Sequence, residues 1–380
     1  MNRQINSIFR RLATVLGTAI ILYFGSEFLF YNEQPVRDIL QYSKHPVWLI
    51  SMLAEGILFY LIVGYAFCII VHRYQQTWSS ILLCGALLGW VIESIIHLNP
   101  EHSIPIPVFN AIPFSFLWPS IGWHAVMVVV LCWVGLRQLM FAQNWWGTLL
   151  GFAGLGAFWA FWATWFWLDS SAEAMPPLTF SQYVTYTLCV FPLLPLGLFL
   201  LDWKGTHNFQ VTNFELYAGL SSVLLLTLIR AESVFPTSLA LLPVVFITLF
   251  ALERGRPYRM VIPPLEAMHK DAPPRWHYAL TLAMPVMAIA TYALMLRTGP
   301  LLNGDAMIGG MMLIGTAAFV YALVNCIMMP VAAQLRPQLP KPTSLRARPS
   351  RAPHAQAKPI NLDALKQRPT QTSEPAAKEG

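Results

Sequence analysis

Residues 47–71 read VWLISMLAEGILFYLIVGYAFCIIV, a stretch in which Glu55 is the single charged residue. An α-helix of roughly 20 apolar residues crosses a bilayer core about 30 Å thick, so this stretch predicts a membrane-spanning helix. The whole chain has the same character, because 56% of its 380 residues are hydrophobic and 11% are charged. Soluble domains carry about 25% charged residues. The composition therefore excludes an ordinary soluble protein and predicts an integral membrane protein.

Apolar runs of this kind recur along the chain. They cover residues 12–31, 47–71, 79–98, 121–142, 146–168, 182–201, 214–230, 237–253, 277–297 and 306–334. We therefore predict an all-α fold, a polytopic transmembrane helical bundle of about ten spans. The short seventh and eighth runs and the mixed character of the last run leave nine and eleven spans open.

The basic residues predict the orientation of the bundle. Arg3, Arg10 and Arg11 precede the first span, which places the amino terminus in the cytoplasm. With ten spans both termini are cytoplasmic, and 20 of the 24 lysines and arginines then fall on the cytoplasmic side. The net charge of +6 is thus a topology signal, and we expect membrane lipids rather than nucleic acid as partners. We predict a location in the bacterial plasma (inner) membrane.

The chain divides into three predicted regions. Residues 1–142 form an amino-terminal membrane region of four helices, and residues 143–334 form a membrane region of six helices. Residues 335–380 are rich in proline, basic and polar residues. A segment of that composition cannot bury a hydrophobic core, so we predict a disordered cytoplasmic tail.

Ionisable side chains are concentrated in the first four spans. These side chains are Glu27, Glu55, Glu93, His97 and His124. Successive spans alternate in direction and rise about 1.5 Å per residue, so all five fall in the outer, extracytoplasmic leaflet. Charged groups inside a membrane are costly and are functional hypotheses by default. The sequence therefore predicts a shared polar site in the outer half of helices 1–4.

The stretch GWVIESIIHLNPEH, residues 89–102, holds the predicted catalytic pair. Glu93 and His97 are four residues apart and share one helix face, where they can act as general acid and base. We predict that Glu27, Glu55 and His124 support or bind. If a metal were bound, its ligands would come from Glu55, Glu93, His97 and His124. No His-Glu-x-x-His motif occurs, so the sequence indicates no particular metal or cofactor.

Two short segments around this pair suggest a family likeness. GWVIE at 89–93 is followed by a proline-rich loop and then by WPSIGW at 118–123. In this arrangement residues 89–124 resemble the central segment of membrane carotenoid hydratases, although the loop differs and this chain has several more spans. The resemblance implies embedded acidic residues that protonate an isoprenoid double bond.

The same polar site is compatible with three classes of protein. It suits an enzyme acting on a lipidic or isoprenoid substrate that enters from the bilayer. It also suits a proton- or cation-coupled transporter, in which the acidic residues carry the ion. A third interpretation is a non-catalytic membrane scaffold or assembly factor whose buried polar groups hold helices together. The sequence predicts no particular oligomeric state.

Overall fold

The structure is a computed structural model. It describes residues 2–30, 33–74, 77–93, 118–141, 144–164, 167, 177–202, 211–229, 237–256, 273–300 and 304–335. Within these ranges the chain forms helices and no strand. The predicted all-α fold is confirmed.

The helices are numbered in chain order. They are α1 (Asn2–Tyr23), π1 (Phe24–Leu29), α2 (Glu33–Tyr42), α3 (Pro46–Tyr74), α4 (Trp78–Val91), π2 (Trp118–Leu136), α5 (Arg137–Met140), α6 (Trp145–Ala163), α7 (Phe180–Val190), α8 (Leu193–Asp202), α9 (Asn213–Ile229), α10 (Thr237–Gly255), α11 (His277–Leu280), α12 (Ala283–Thr298) and α13 (Gly304–Leu335). The segments π1 and π2 are π-helical, and π1 continues directly from α1.

Seven stretches of the described chain are long and apolar enough to cross a membrane. They are Ile8–Leu29, Pro46–Tyr74, Pro119–Met140, Trp145–Ala163, Phe180–Asp202, His277–Thr298 and Gly309–Met329. Three further predicted spans coincide with helices α4, α9 and α10. Helix α4 is apolar over its 14 described residues, and α9 has 17. These helices support the prediction of an integral membrane protein.

Side-chain caps fix where several helices begin. Before α4, the Thr77 hydroxyl accepts a hydrogen bond from the Ser80 backbone N–H at 3.1 Å, and the Ser80 hydroxyl accepts one from the Thr77 N–H at 2.9 Å. Thr179 and Gln182 form the same reciprocal arrangement before α7. Asn144 caps α6 through the N–H of Trp146. The caps satisfy the N–H groups of the first turn, which have no partner inside the helix. They therefore define the residue at which each of these helices begins.

The first span lies at the centre of the described bundle. In its most apolar window 89% of the residues are buried, against 22% for the last span, Gly309–Met329. Helix α1 packs against α3 and α8, and α6 packs against α12. The Phe28 carbonyl accepts a hydrogen bond from the Trp159 indole N–H at 3.0 Å. Burial of the first span places the groups of π1 inside protein rather than in lipid.

The chain separates into two compact units. Met1–Val331 form the first and Ala332–Gly380 form the second. Within the first unit, the contact of Trp159 with Phe28 joins residues on either side of position 142. The division at residue 142 stays a prediction, and residues 336–380 of the predicted tail lie outside the described residues.

Candidate functional site

The centre of the candidate site is a contact between two side chains of neighbouring helices. His124 Nε2 on π2 lies 2.8 Å from Oε1 of Glu93, which follows α4. His124 is 1% exposed, whereas the Glu93 side chain is 15% exposed. An imidazole and a carboxyl group at this distance share a proton, either as imidazolium with carboxylate or as two neutral groups. The pair is thus a buried acid–base dyad with one member accessible at its edge.

The close approach of α4 to π2 depends on Gly89. A Cβ atom at this position would lie 2.6 Å from Ser120 Cα and 2.8 Å from His124 Cβ. Both distances are shorter than real Cβ contacts, so a larger residue would push the two helices apart. Gly89 therefore sets the separation at which Glu93 reaches His124.

A second buried pair lies on the first and third helices. Glu27, on π1, is 6% exposed, and its Oε1 accepts a hydrogen bond from the hydroxyl of Tyr60, which is 2% exposed. Ser26 is a further hydrogen-bonding neighbour of the Tyr60 hydroxyl, and Glu93 lies within electrostatic range of it. Tyr60 thus belongs to one pair and lies within electrostatic range of the other. We call Glu27, Tyr60, Glu93 and His124 the outer cluster, after the leaflet in which they are predicted to lie.

Three members of the outer cluster stand on π-helical backbone. Glu27 belongs to π1, His124 belongs to π2, and the backbone is π-helical at Ile92 and Glu93. A π turn holds more residues than an α turn and is frequent at functional sites. The altered period turns these side chains toward neighbouring helices, in directions that an α-helical reading of the sequence does not give.

Three buried polar atoms near the dyad have no hydrogen-bond partner among the described residues. They are Trp90 Nε1, Ser120 Oγ and His124 Nδ1. Trp90 follows Gly89, and Ser120 lies about one turn before His124 on π2. Buried polar groups are normally paired, and each of these atoms can bond to a polar group of a ligand. The surroundings of the dyad therefore suit binding as well as proton transfer.

Glu55 lies apart from the outer cluster, on the exposed side of α3. Helix α3 has 29 residues, which corresponds to about 44 Å. Counting about 20 residues back from Tyr74, enough for a 30 Å core, puts the outer boundary near residue 54. This count predicts the Glu55 carboxylate at headgroup level. Tyr23 stands between the two regions, within electrostatic range of Glu27 and Glu55.

His97, the predicted partner of Glu93, lies outside the described residues. Instead the structure describes His124 as the partner of Glu93. Across the described ranges, no group of three or more His, Cys, Asp or Glu side chains is placed to hold a metal ion. The catalytic, binding and metal roles assigned from the sequence stay predictions.

A second polar group lies near the predicted cytoplasmic ends of the helices. Arg137 is 2% exposed, and its guanidinium carbon lies 5.3 Å from the centroid of the Trp133 ring. Arg137 interacts electrostatically with Asp202 and His72. Asp202 Oδ2 accepts a hydrogen bond from the Tyr278 hydroxyl at 2.9 Å. We call Arg137, Asp202, Tyr278 and His72 the inner cluster. An arginine near the end of an apolar run was its only sequence signal.

An apolar layer separates the two clusters. Along α3 the distance from Tyr60 to Cys68, whose thiol bonds to Thr18, is eight residues or about 12 Å. The buried residues between them are Val63, Gly64 and Phe67. On π2 the sequence from residue 125 to residue 132 is AVMVVVLC, without a charged residue. On α3 and π2, apolar residues thus lie between the outer cluster and the inner one.

The chain matches no protein-family model, no curated protein and no solved structure. The resemblance of residues 89–124 to membrane carotenoid hydratases accordingly stays an expectation. The features that bear on function are the dyad, its buried neighbours and the apolar layer beneath them.

Proposed function

We propose that this protein is a membrane enzyme that performs acid–base chemistry on a lipidic substrate, with an isoprenoid as the favoured class. The observation that carries the proposal is the buried contact between Glu93 and His124, beside polar atoms of Trp90 and Ser120 that have no described partner. A dyad of this kind supplies and accepts protons. In this proposal a lipid reaches the partly exposed Glu93 side chain laterally from the bilayer.

The proposed topology has ten spans with both termini cytoplasmic. Side-chain contacts between helix ends support it. Glu253, near the end of α10, accepts a hydrogen bond at 2.6 Å from Tyr74, the last residue of α3. Arg11 pairs with Glu215 near the start of α9. All four residues belong to ends that a ten-span alternation assigns to the cytoplasm, where the positive-inside rule also places arginines.

In the proposed reaction the dyad passes one proton to a carbon of a double bond. A neighbouring carbon then loses a proton to the carboxylate, or water adds there and loses its own proton to the carboxylate. In either case the dyad recovers its starting charge, and the product is an isomer or a hydrate. Glu93 is the proposed acid and base, and His124 holds its proton and orientation. Trp90 and Ser120 are proposed to bind a polar part of the substrate.

The geometry gives less support to the two alternative functions, a transporter and a scaffold. A proton- or cation-coupled transporter needs ionisable groups through both leaflets, and about 12 Å of apolar packing along α3 lies between Tyr60 and Cys68, on the way to the inner cluster. A scaffold would use its buried polar groups to pair with one another. The unpaired atoms of Trp90 and Ser120 do not serve that purpose.

The test is deuterium incorporation from D2O. Purified protein is reconstituted in liposomes of bacterial lipids that contain a linear polyene isoprenoid, and carbon-bound deuterium in the lipids is measured by mass spectrometry. We expect incorporation with the wild type. In Glu93→Gln it should fall by at least about 100-fold, the lower range of general acid–base effects. The matched control is Glu253→Gln, which changes the same residue type in α10 and should retain activity.

The companion measurement is thermal unfolding of the same variants. An amide at position 93 can still hydrogen-bond to His124, so Glu93→Gln should remain folded. The proposal is wrong if the wild type incorporates no deuterium, or if Glu93→Gln incorporates as much as the wild type. Flux that follows a pH gradient and is lost in Glu55→Gln would favour transport. A large loss of stability without any chemistry would favour a scaffold.

A further inference from the structure

We infer that Phe319 of the last span is a positioning residue, which holds the indole of Trp90 so that its N–H points at an oxygen of the substrate. The inference rests on the proposed function and deepens it, because it narrows the substrate to an isoprenoid whose oxygen accepts a hydrogen bond. Phe319 acts through Trp90 and takes no part in the chemistry of the Glu93–His124 dyad.

Helix α13 packs on both of the helices that position the dyad. On π2, a Cβ atom at Gly315 would lie 2.8 Å from the Gly122 Cα atom, so the two backbones touch at this point. Further along α13, Asn325 donates a hydrogen bond at 2.8 Å to the hydroxyl of Ser79, near the start of α4. One contact precedes Phe319 and the other follows it. Together they fix the height and the rotation of α13 beside α4.

This rotation turns Phe319 toward the protein. The buried residues of α13 recur at intervals of three or four along one face, and they are Gly315, Phe319, Ala322 and Cys326. The other side of the helix is exposed at Leu313, Val320, Tyr321 and Val324. Phe319 is 8% exposed, so its ring lies between α13 and the bundle rather than in lipid.

The Phe319 ring packs edge-to-face against the indole of Trp90. The ring centroids are 5.7 Å apart, and the ring planes meet at 79°. Edge-to-face contact is a preferred arrangement of aromatic rings, and a densely packed interior leaves few other orientations to a ring as large as an indole. Trp90 is 2% exposed. The contact with Phe319 therefore helps to fix the direction of the Trp90 N–H.

The direction of this N–H matters because its acceptor is not among the described residues. Trp90 Nε1 has no described hydrogen-bond partner, and neither has Ser120 Oγ, whose backbone lies against Gly89, the residue before Trp90. An indole N–H can only donate, whereas a serine hydroxyl donates or accepts. An oxygen of the substrate can accept from both groups, and a pure hydrocarbon can accept from neither. The two atoms thus favour an oxygenated isoprenoid.

The experiment compares two probes in the deuterium-incorporation assay, a linear polyene isoprenoid alcohol and the hydrocarbon of the same skeleton. With the wild type, the KM of the alcohol should be at least about 10-fold lower, because a site built for an oxygen discriminates against the analogue that lacks it. Phe319→Leu should raise the KM of the alcohol by about 3- to 10-fold, the range of one hydrogen bond, and leave kcat unchanged. The KM of the hydrocarbon should stay at its wild-type value.

A double-mutant cycle separates positioning from packing. Trp90→Phe removes the N–H and should raise the KM of the alcohol by itself, and Phe319→Leu added to Trp90→Phe should raise it no further. The matched control is Val320→Leu, which introduces the same residue on the exposed side of α13 and should leave both KM values unchanged. Phe319→Met, which also removes the ring, replaces Phe319→Leu if that variant does not fold.

Three results would overturn the inference while leaving the proposed enzyme intact. The first is an unchanged KM of the alcohol in Phe319→Leu. The second is a rise in KM that persists in the Trp90→Phe background or is equal for the two probes, because it would indicate a packing role. The third is equal KM values of alcohol and hydrocarbon with the wild type. Absence of deuterium incorporation from either probe with the wild type would instead overturn the proposed function.

Discussion

The carboxylates of the two predicted leaflets have different partners. In the outer cluster Glu27 contacts Tyr60 and Glu93 contacts His124. In the inner half Asp202 lies in the field of Arg137, and Glu253 pairs with Arg73 at 3.4 Å. Tyrosine and histidine can lose or gain a proton, whereas arginine stays charged in proteins.

Because of this difference in partners, the outer cluster is suited to chemistry and the inner carboxylates are suited to anchoring helices. Arginine keeps its charge, so a carboxylate near it can fix helices and mark a membrane side. A carboxylate beside histidine or tyrosine can change state together with its partner. The contrast makes opposite predictions for the two clusters: substitutions in the inner cluster should change stability, and substitutions in the outer cluster should change proton transfer.

The largest expected effect on stability is in the inner cluster. Arg137→Met keeps a long side chain but leaves the half-buried Asp202 without its positive neighbour. Removal of one partner from a buried charge pair costs about 3–5 kcal/mol of unfolding free energy. Denaturant or thermal unfolding in detergent measures the loss.

The control for this prediction is a double-mutant cycle. Asp202→Asn removes the second charge, so Arg137→Met combined with Asp202→Asn should recover much of the lost stability. Strictly additive losses would show that the two residues do not interact, and the inner cluster would then not be a charge pair.

A medium effect is expected where α4 meets π2. Gly89→Ala forces the helices apart at Ser120 and should lower stability by about 1–3 kcal/mol, as overpacking does. It should also lower deuterium incorporation, because Glu93 moves away from His124. Gly154→Ala is the matched control, since its added methyl group meets no atom within 4 Å. Full activity in Gly89→Ala would contradict the importance of the close approach.

The smallest effect is expected for Glu253→Gln. This carboxylate is 47% exposed and pairs with Arg73 and Arg256 at 3.4 Å. Surface ion pairs contribute about 0–1 kcal/mol, so the unfolding temperature should hardly change. A loss as large as that of Arg137→Met would show that burial is not what distinguishes the inner residues.

Hydropathy predicts much of the fold, because lipid exposure requires long apolar segments whatever their partners. The predicted span 182–201 corresponds to Phe180–Asp202, and the predicted span 146–168 overlaps Trp145–Ala163. The count of about ten spans and the orientation go beyond the seven stretches of the described chain that meet the criteria for crossing a membrane.

Side-chain partners between helices were harder to predict. Spacing along one helix favours Glu93 with His97, whereas the contact described for Glu93 crosses to His124 on the π-helical segment π2. The spacing of Gly147, Gly151 and Gly154 in α6 favours close helix contact. Gly151 closely approaches the Leu139 side chain, whereas Gly147 and Gly154 have no atom within 4 Å of an added Cβ. Gly156 instead approaches the Met284 backbone. Such contacts depend on the rotation of each helix about its own axis. The spacing of residues in the sequence does not specify that rotation.

The length of α3 has a consequence for the membranes in which this protein can work. Its 29 residues exceed the thickness of a typical hydrocarbon core by about 13 Å, so the helix must tilt or project. A thicker bilayer would draw the Glu55 carboxylate below the headgroups and away from water. A thinner one would bring Tyr60 toward the surface. Hydrophobic mismatch would therefore tune the access of the buried site to water, and bilayer thickness would act on this protein as a regulator.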